Sequence, residues 1–470
     1  MLTTKPNVST PSAEAEQMAP WLELIADIRG GLPAMRKRAA IYLPRYQNES
    51  ADDYKRRVAT APWRPEWTDA LRTLSSKPFS KPVNLGDAPP APIVAFCNDV
   101  DGCGNNLHTF ARRFFESAVA DGLGLLLVDH PPVGEGIRTL ADYKAAGHRP
   151  FWALYQADSI IGLRMARIGG RKRIVDLRLR ERVIVPDGFG EQAIEQVRHL
   201  TPGHYEIWRE NSKGEWVIVE QDEVSHADGS PMLGVDAVIL RTGDALGDLA
   251  TRPPLLDLAN MQVELWKALS NLAEVLEFSA SPMLVAKNAG ILDGGGDVKV
   301  GPRAVLQCGE NGDWKFISPA ADNIAEIKGH VRDVIADMAR LAMQPAIIRP
   351  GVTATEVSLQ ASKAHSALEA WALGLQDAIE QALVLTAAHM TDDERKAIGK
   401  WAPNVDVHSD FASEIGKNEE AQVIVSAAKS GVISLDGARA ELLRRQIIEP
   451  AQEAEQGPAP LDGCAAARVG

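Results

Sequence analysis

Cysteine is scarce in this chain, with four residues among 470. Cys97 and Cys103 are the only near pair, and no second pair lies at the spacing of a zinc site. His108 could join them as a metal ligand, but scattered cysteines are more typical of free, buried thiols. We therefore expect reduced thiols, no bound metal and no cofactor.

Long apolar runs are also missing. No stretch of eighteen apolar residues is present, so the sequence predicts no membrane span. The first seventeen residues have neither the basic start nor the apolar core of a secretory signal. A hydrophobic content of 45% with 24% charged residues is typical of a soluble globular protein. We expect a protein that stays in the cytoplasm or wherever it assembles.

The familiar catalytic motifs are absent as well. There is no phosphate-binding P-loop, no His-Glu-x-x-His helix and no Gly-x-Ser-x-Gly elbow. Asp129 and His130 form the best catalytic-looking pair, because they follow a short apolar run that predicts a buried strand. Two prolines follow at once and no partner nucleophile is indicated, so we favour a loop over an active site.

Basic charge is in deficit, since the net charge is −13. A protein that coats DNA needs a basic footprint, but a surface past which DNA slides does not. Eight basic side chains do cluster within nineteen residues: Arg164, Arg167, Arg171, Lys172, Arg173, Arg178, Arg180 and Arg182. The last three alternate along one predicted strand, and we favour a salt-bridged surface over direct DNA contact.

What the chain does have is two helices with heptad-spaced apolar residues, from about Leu255 to Phe278 and from about Asp322 to Met343. Their seams consist of Leu258, Met261, Leu265, Leu269, Leu272 and Leu276, and of Ile324, Ile327, Val331, Val334, Met338 and Leu341. A seam this narrow packs against one neighbouring helix and leaves the other faces of the helix exposed to solvent. Ordinary bundles have such helices, and so do rings and tunnels.

A small β module is predicted between these two helices, at 283–286, 304–308 and 314–318. A connector follows at 344–351, where two prolines and a glycine exclude a helix. The simplest interpretation of this segment is a plain connection between two helices. A more specific interpretation is a constrained loop that projects into a central space shared by several copies of the chain.

A long helix then begins at the capping box of Thr353 and Glu356 and should continue to about Met390. Gly374 lies in its middle and predicts a kink. A second capping box, Thr391 with Glu394, predicts a short helix.

The remaining patterns predict helices at both ends of the chain and strands between them, which is an α+β protein. We expect the segments 1–17 and 450–470 to be mobile or disordered. The other predicted parts are a helical region at 18–74, a linker at 78–92, a helix at 107–121, a buried strand at 123–128, a β-rich region at 151–240 and helices at 415–448. The helix at 107–121 should begin at Asn105 or Asn106 as its N-cap and end at Gly122, and the β-rich region should contain a hairpin of 205–208 with 216–219.

An ordered set of short motifs runs through residues 18–448. It comprises Pro20-Trp21 before Gly30, Ile41-Tyr42-Leu43-Pro44, Glu49 and Tyr54, Lys77-Pro78-Phe79-Ser80-Lys81-Pro82, Asp101-Gly102-Cys103-Gly104 up to Phe110, Gly122 to Val128-Asp129-His130-Pro131, Thr353-Ala354-Thr355-Glu356, and Gly431-Val432-Ile433-Ser434. This set resembles the portal proteins of tailed bacteriophages, in a subgroup known only as a domain of unknown function. The chain departs from the subgroup at Pro62-Trp63-Arg64-Pro65, where Phe-x-Asn is usual.

The resemblance implies the portal fold, an α+β architecture with named parts. These would be a flexible N-terminus (1–17), a wing (18–250, β-rich over 151–242), a first stem helix (251–280), a clip (281–321), a second stem helix (322–343), a tunnel loop (344–352), a long kinked wing helix with its return (353–412), a helical crown (413–449) and a disordered tail (450–470).

The function that the resemblance implies is a non-enzymatic ring of twelve identical subunits at one capsid vertex of the virion, assembled in the host cytoplasm. Double-stranded DNA would pass through it during packaging and ejection, with weak and non-specific contacts. The expected protein partners are the terminase large subunit, a head-completion or adaptor protein, and the major capsid and scaffolding proteins.

The resemblance also assigns roles to residues. The tunnel loop would present Gln344, Ile347, Ile348 and Arg349 to DNA, and Gly374 would be the helix kink. The clip would dock terminase and adaptor through Lys287, Lys299, Arg303, Trp314 and Lys315. The stem would contact the next subunit through Leu258, Leu265, Leu269, Leu272, Ile327, Val331, Val334 and Met338. Two alternatives stay open, an enzyme that uses Asp129 and His130, and a monomeric structural adaptor.

Overall fold

A series of short helices opens the chain, broken where glycine and proline interrupt the sequence. The computed structural model describes residues 7–130, 149–226, 229–280, 283–287, 312–317, 321–342, 354–409 and 411. The first helices are α1 (Ala13–Arg29), α2 (Gly31–Lys37), α3 (Ala39–Tyr42), α4 (Ala51–Thr60) and α5 (Glu66–Ser76). The expectation of a mobile segment 1–17 is wrong for 13–17, because Ser12 caps α1 by accepting a hydrogen bond from the backbone N–H of Ala15.

Two further helices lead to the first sheet, α6 (Ala91–Cys97) and α7 (Leu107–Asp121). The prediction for α7 is confirmed in detail. The side chain of Asn106 accepts a hydrogen bond from the N–H of Thr109 at 2.9 Å, and Gly122 ends the helix with a φ of +87°. The helix α6 was not expected, because its residues follow immediately on the proline-rich linker.

The first sheet has three antiparallel strands, in the order β2 (Phe151–Gln156), β1 (Leu123–Asp129) and β8 (Ala237–Arg241). The central strand β1 is buried along almost its whole length, as its continuous apolar run predicts. Helix α7 packs against it so closely that a side chain at Gly124 would meet the Phe114 ring at 3.2 Å.

The second sheet is an antiparallel meander of five strands that pair in chain order. They are β3 (Ile160–Ile168), β4 (Arg171–Asp187), β5 (Gly190–Thr201), β6 (His204–Glu210) and β7 (Trp216–Glu223). A shared core joins the two sheets and α1 through Met18, Leu22, Leu125, Leu177 and Leu179. The β-rich middle of the chain and the predicted hairpin of β6 and β7 are therefore confirmed.

Four of the eight basic residues of β3 and β4 bind acceptors within the chain. Arg178 donates to the backbone carbonyls of Val8 and Thr10, and Arg164 pairs with Asp176 at 2.7 Å. Arg182 and Lys172 pair with Glu195 and Asp248. These contacts agree with the salt-bridged surface that we favoured for this strand.

The C-terminal part of the described chain is mainly helical, and none of the described helices is long and apolar enough to cross a membrane. Its elements are the short strands β9 (Asp244–Ala245) and β10 (Thr251–Arg252), the helices α8 (Leu256–Ala280) and α9 (Ala321–Leu341) with the strands β11 (Met283–Lys287) and β12 (Asp313–Ile317) between them, and the helices α10 (Ala354–His389) and α11 (Asp392–Ile398). These elements lie in the unit Met1–Ser409, and Asp410–Gly470 is a separate unit.

Helix α10 packs on the first sheet, against β8 and β1. A buried hydrogen bond of 2.7 Å joins the indole N–H of Trp152 in β2 to the hydroxyl of Thr386 near the end of α10. The capping box predicted at Thr391 and Glu394 is present and begins α11. Segregated helices and antiparallel sheets confirm the α+β class.

Candidate functional site

Two helices and a short β-ladder form a stalk, which we define as α8, β11, β12 and α9. The strands β11 and β12 pair antiparallel, with Met283 opposite Ile317 and Lys287 opposite Asp313. Since β11 directly follows α8 and β12 directly precedes α9, the two packed helices run in opposite directions. The ladder therefore lies at the tip of the stalk, and the start of α8 lies at its root.

Six residues of the heptad seams are buried within the single chain, and their assignment to a subunit interface stays a prediction. These are Leu258, Leu265, Leu269, Val331, Val334 and Met338. They are buried because α9 packs against both α8 and α5 within one molecule. Leu272 and Ile327 are only partly buried, so their role at an interface stays a prediction.

The root of the stalk is fastened to α5 by a buried glutamine. The side-chain carbonyl of Gln262 accepts a hydrogen bond from the backbone N–H of Trp67 at 3.0 Å. Its amide donates to the carbonyl of Arg64 at 2.7 Å, and the side chain is fully buried. The indole N–H of Trp67 donates to the carbonyl of Leu255, and Trp63 packs edge-on against Trp266. These contacts fix the direction of α8 relative to α5 and the residues just before it.

A buried arginine makes a second connection between the N-terminal helices and α8. Arg57 binds both carboxylate oxygens of Glu49, at 2.7 and 2.8 Å, and its guanidinium lies 4.1 Å from the centre of the Tyr46 ring. The hydrogen bonds from Arg57 lower the pKa of Glu49. Glu274 of α8 lies 3.8 Å from the same guanidinium, and Tyr46 donates a hydrogen bond to Asn271.

Apolar side chains become exposed toward the tip of the stalk. Leu276 and Phe278 of α8 are 39% and 57% exposed, whereas Leu265 and Trp266 nearer the root are fully buried. Val285 of β11 is also exposed, at 42%. Large exposed apolar side chains concentrated at one end of an element indicate a contact surface.

Two of the five predicted clip residues can be placed with their side chains. Lys287 and Lys315 are exposed on the ladder, and Lys315 forms an ion pair of 3.1 Å with Asp313. Trp314 lies in β12 and pairs in register with Ala286. Lys299 and Arg303 lie outside the described residues. The docking role of all five stays a prediction.

The predicted tunnel loop, with Gln344, Ile347, Ile348 and Arg349, lies outside the described residues. Gly374 lies inside α10, which is helical on both sides of it, and the kink stays a prediction. A β-carbon at Gly374 would lie 3.6 Å from the Leu240 side chain, which is an ordinary van der Waals contact.

Asp129 and His130, the alternative catalytic pair, line a cavity of about 340 Å³. The carboxylate of Asp129 is held by Arg198 at 2.7 Å, and the His130 ring stacks on that of His389, with 6.1 Å between ring centres. Burial alone would lower the pKa of Arg198, but the charge of Asp129, together with Tyr155 and Glu181, raises it. The carboxylate of Asp129 is therefore engaged in an ion pair with Arg198. Whether Asp129 and His130 catalyse a reaction is not tested by this geometry.

Sequence analysis missed the residues that the fold adds to this region. Asp236 and His389 also line the cavity, and His226 lies beside them. His226 and Asp236 lie ten residues apart, but His389 lies 153 residues beyond Asp236, so no local spacing could have indicated the set of three. Cys97 and Cys103 are free thiols, the first buried and the second exposed, and His108 instead accepts a hydrogen bond from the N–H of Val83.

Comparisons with known proteins give a family match and a structural likeness. The family model described as "Domain of unknown function (DUF4055)" matches residues 254–390, which extend from just before α8 through the whole of α10. This match agrees with the subgroup suggested by the motifs, although it covers less than half of the chain. No curated protein matches the chain.

The solved structures that it resembles include parts of gene transfer agent (GTA) particles. The neck of the native particle, computed with C12 symmetry, has 12% identity and a TM-score of 0.41 over 81% of this chain and 89% of that chain. The neck of the empty particle, computed with C6 symmetry, has 14% identity and a TM-score of 0.40 over 81% and 90%. The virion of the native particle has 12% identity and a TM-score of 0.38 over 87% and 96%. At such values the likeness establishes neither a shared fold nor a shared function.

Proposed function

We propose that this chain is a structural subunit of a phage-like particle, and that twelve copies form a portal ring through which double-stranded DNA passes. The observation that carries the proposal is the stalk: two antiparallel helices end in a β-ladder, and a long helix packed on a sheet follows along the chain. The ordered motifs of the sequence support the same assignment, because they resemble those of portal proteins in the same order.

The stalk has the properties that a ring-forming element needs. Its root is rigid, because Gln262 ties α8 to Arg64 and Trp67 through buried hydrogen bonds, and Arg57 forms an ion pair of 3.8 Å with Glu274 of α8. Its outer half presents Leu276 and Phe278 to solvent. In a head-to-tail ring these side chains would be covered by the neighbouring copy, and the same contact repeated around an axis closes the ring.

The charge of the protein fits a conduit better than a DNA-coating protein. The net charge is −13, and several arginines of the β-rich region already have partners, among them Arg164, Arg178 and Arg198. DNA that must move through a channel is held less firmly by a surface that offers few free cations. In this proposal the tunnel loop would supply the few weak phosphate contacts through Gln344 and Arg349.

The tip of the stalk is the proposed docking site for protein partners. Lys287 and Lys315 are exposed there beside the apolar side chain of Val285. Such a mixed surface fits a partner that is exchanged, since non-obligate interfaces are about as apolar as ordinary protein surface. We assign it to the terminase large subunit during packaging and to the head-completion adaptor afterwards, with capsid and scaffolding proteins contacting the body. No enzymatic step is assigned to the chain.

A matched pair of substitutions tests the stalk as a ring interface. Phe278→Asp would place a charge where the neighbouring copy should pack, whereas Phe189→Asp changes a fully exposed phenylalanine in the turn between β4 and β5. We expect Phe278→Asp to abolish rings in native mass spectrometry, and Phe189→Asp to leave them intact. Both variants should keep the circular dichroism spectrum of the original chain. If Phe278→Asp still formed rings, the surface around Phe278 would not be part of the subunit interface.

A further inference from the structure

Three potential metal ligands meet at the end of α10, where His389 lies close to two residues that precede it by more than 150 positions. His226 lies in the tight turn that follows β7, Asp236 directly precedes β8, and His389 is the last residue of α10. One nitrogen of each imidazole and one carboxylate oxygen all lie within 4.8 Å of one another. Two imidazoles and a carboxylate are donors that first-row transition metals accept.

The distances between these atoms are close to those of a coordinated set. The Nε2 of His389 lies 2.7 Å from Oδ2 of Asp236, and the Nε2 of His226 lies 3.4 Å from the same oxygen. Ligands of a tetrahedral zinc ion, at metal–ligand distances of about 2.0 Å, are roughly 3.3 Å apart. Small side-chain rotations would therefore suffice to admit an ion, and the backbone need not move.

The ring of His226 is oriented as the ring of a metal ligand would be. Its Nδ1 lies 3.0 Å from the hydroxyl of Ser230, so the Nε2 faces the carboxylate of Asp236. Among the described residues, no group forms a hydrogen bond with this buried Nε2. An imidazole that is fixed through one nitrogen and presents the other is the usual arrangement of a metal ligand.

Burial makes the carboxylate of Asp236 depend on a nearby cation. The side chains of Asp236 and His389 are only 8% and 4% exposed. Within the described part of the chain, the ion-pair partners of Asp236 are His226 and His389, with no lysine or arginine among them. A metal ion held among these three groups would compensate the charge of this buried carboxylate.

We propose that His226, Asp236 and His389 bind one divalent transition-metal ion of the zinc type. The cavity of about 340 Å³ that Asp236 and His389 line would supply a water molecule as a further ligand. The bound ion would join the turn after β7, the edge of the first sheet and the end of α10. Its role is therefore to lock the long helix onto the sheet, and it does not depend on ring formation.

The test uses the full-length chain after treatment with a chelator and dialysis. Titration with Zn²⁺ in a calorimeter should give one site per chain, and Zn²⁺ should raise the melting temperature. Co²⁺ should give visible absorption bands of a low-coordinate site with nitrogen and oxygen ligands. A strong thiolate-to-cobalt band would instead assign the ion to the cysteines and overturn the proposal.

Two histidine variants make the assignment specific. His226→Gln should weaken Zn²⁺ binding by at least about tenfold, and Zn²⁺ should no longer raise its melting temperature, whatever the loss of the Nδ1 contact with Ser230 costs the metal-free protein. His330→Gln, at an exposed position on α9, should bind Zn²⁺ like the original chain. Absence of Zn²⁺ and Co²⁺ binding in the original chain, or undiminished binding in His226→Gln, would refute the site.

Discussion

The attachment of the stalk to the body predicts a large loss of stability when Gln262 is replaced by alanine. The substitution removes both hydrogen bonds of a fully buried side chain, the one from the N–H of Trp67 and the one to the carbonyl of Arg64. Each backbone group that is left buried and unpaired costs about 1–3 kcal/mol. We therefore expect the free energy of unfolding to fall by about 4 kcal/mol, which includes a small contribution from the cavity.

A second substitution separates the hydrogen bonds from the packing. Gln262→Met keeps most of the side-chain volume and loses both hydrogen bonds, so it should cost nearly as much as Gln262→Ala. Gln381→Ala, at an exposed position on α10, is the matched control and should change stability by no more than about 0.5 kcal/mol.

Urea unfolding followed by tryptophan fluorescence measures these differences, because Trp67 and Trp266 lie at the root of the stalk. All variants are compared at one protein concentration, since self-association would add to the apparent stability. If Gln262→Ala and Gln262→Met both remained within about 1 kcal/mol of the original chain, the buried glutamine would not fasten the stalk.

Three further predictions follow from other parts of the chain. Burial raises the pKa of Asp121 to about 7 despite the nearby Arg29, so its protonated form contributes stability that is complete below about pH 4 and is lost as the pH rises through 7. Asp121→Asn should therefore remove this loss and stabilise the protein at pH 8, by a few kcal/mol in urea unfolding, while Asp53→Asn, at an exposed site, should not. Gly374→Ala should stabilise α10 by about 0.5–1 kcal/mol, because the added methyl group would only touch Leu240; a clear loss of stability would indicate the predicted kink. Arg349→Ala should leave rings intact in electron micrographs and alter DNA packaging or genome retention in infected cells, and normal packaging would exclude a role for Arg349.

Local signals in the sequence predicted most of the secondary structure, because the groups that end an element lie next to it. Asn106 and Gly122 bound α7, and the capping box at Thr391 begins α11. The heptad runs predicted both stalk helices with ends that differ from the observed ones by one or two residues. Continuous apolar runs and alternation likewise predicted β1 and the hairpin of β6 and β7.

These local signals could not show which residues from distant parts of the chain meet in the fold. Periodicity identified the apolar face of α9, but it could not tell whether α8 of the same chain or a second copy covers that face. The structure shows that Val331, Val334 and Met338 are buried within one chain. The start of α1 was missed because the polar residues before it are held by Arg178, which lies far along the sequence. The 153 residues between Asp236 and His389 likewise concealed their cluster with His226.

The mass of the purified protein, measured together with a negative-stain image, tests the proposed function most directly. Twelve chains of 50.8 kDa in a closed head-to-tail ring give a particle of about 610 kDa, and the image should show a central hole. A species of 50.8 kDa that persists at high protein concentration, or an assembly without a hole, would contradict the account.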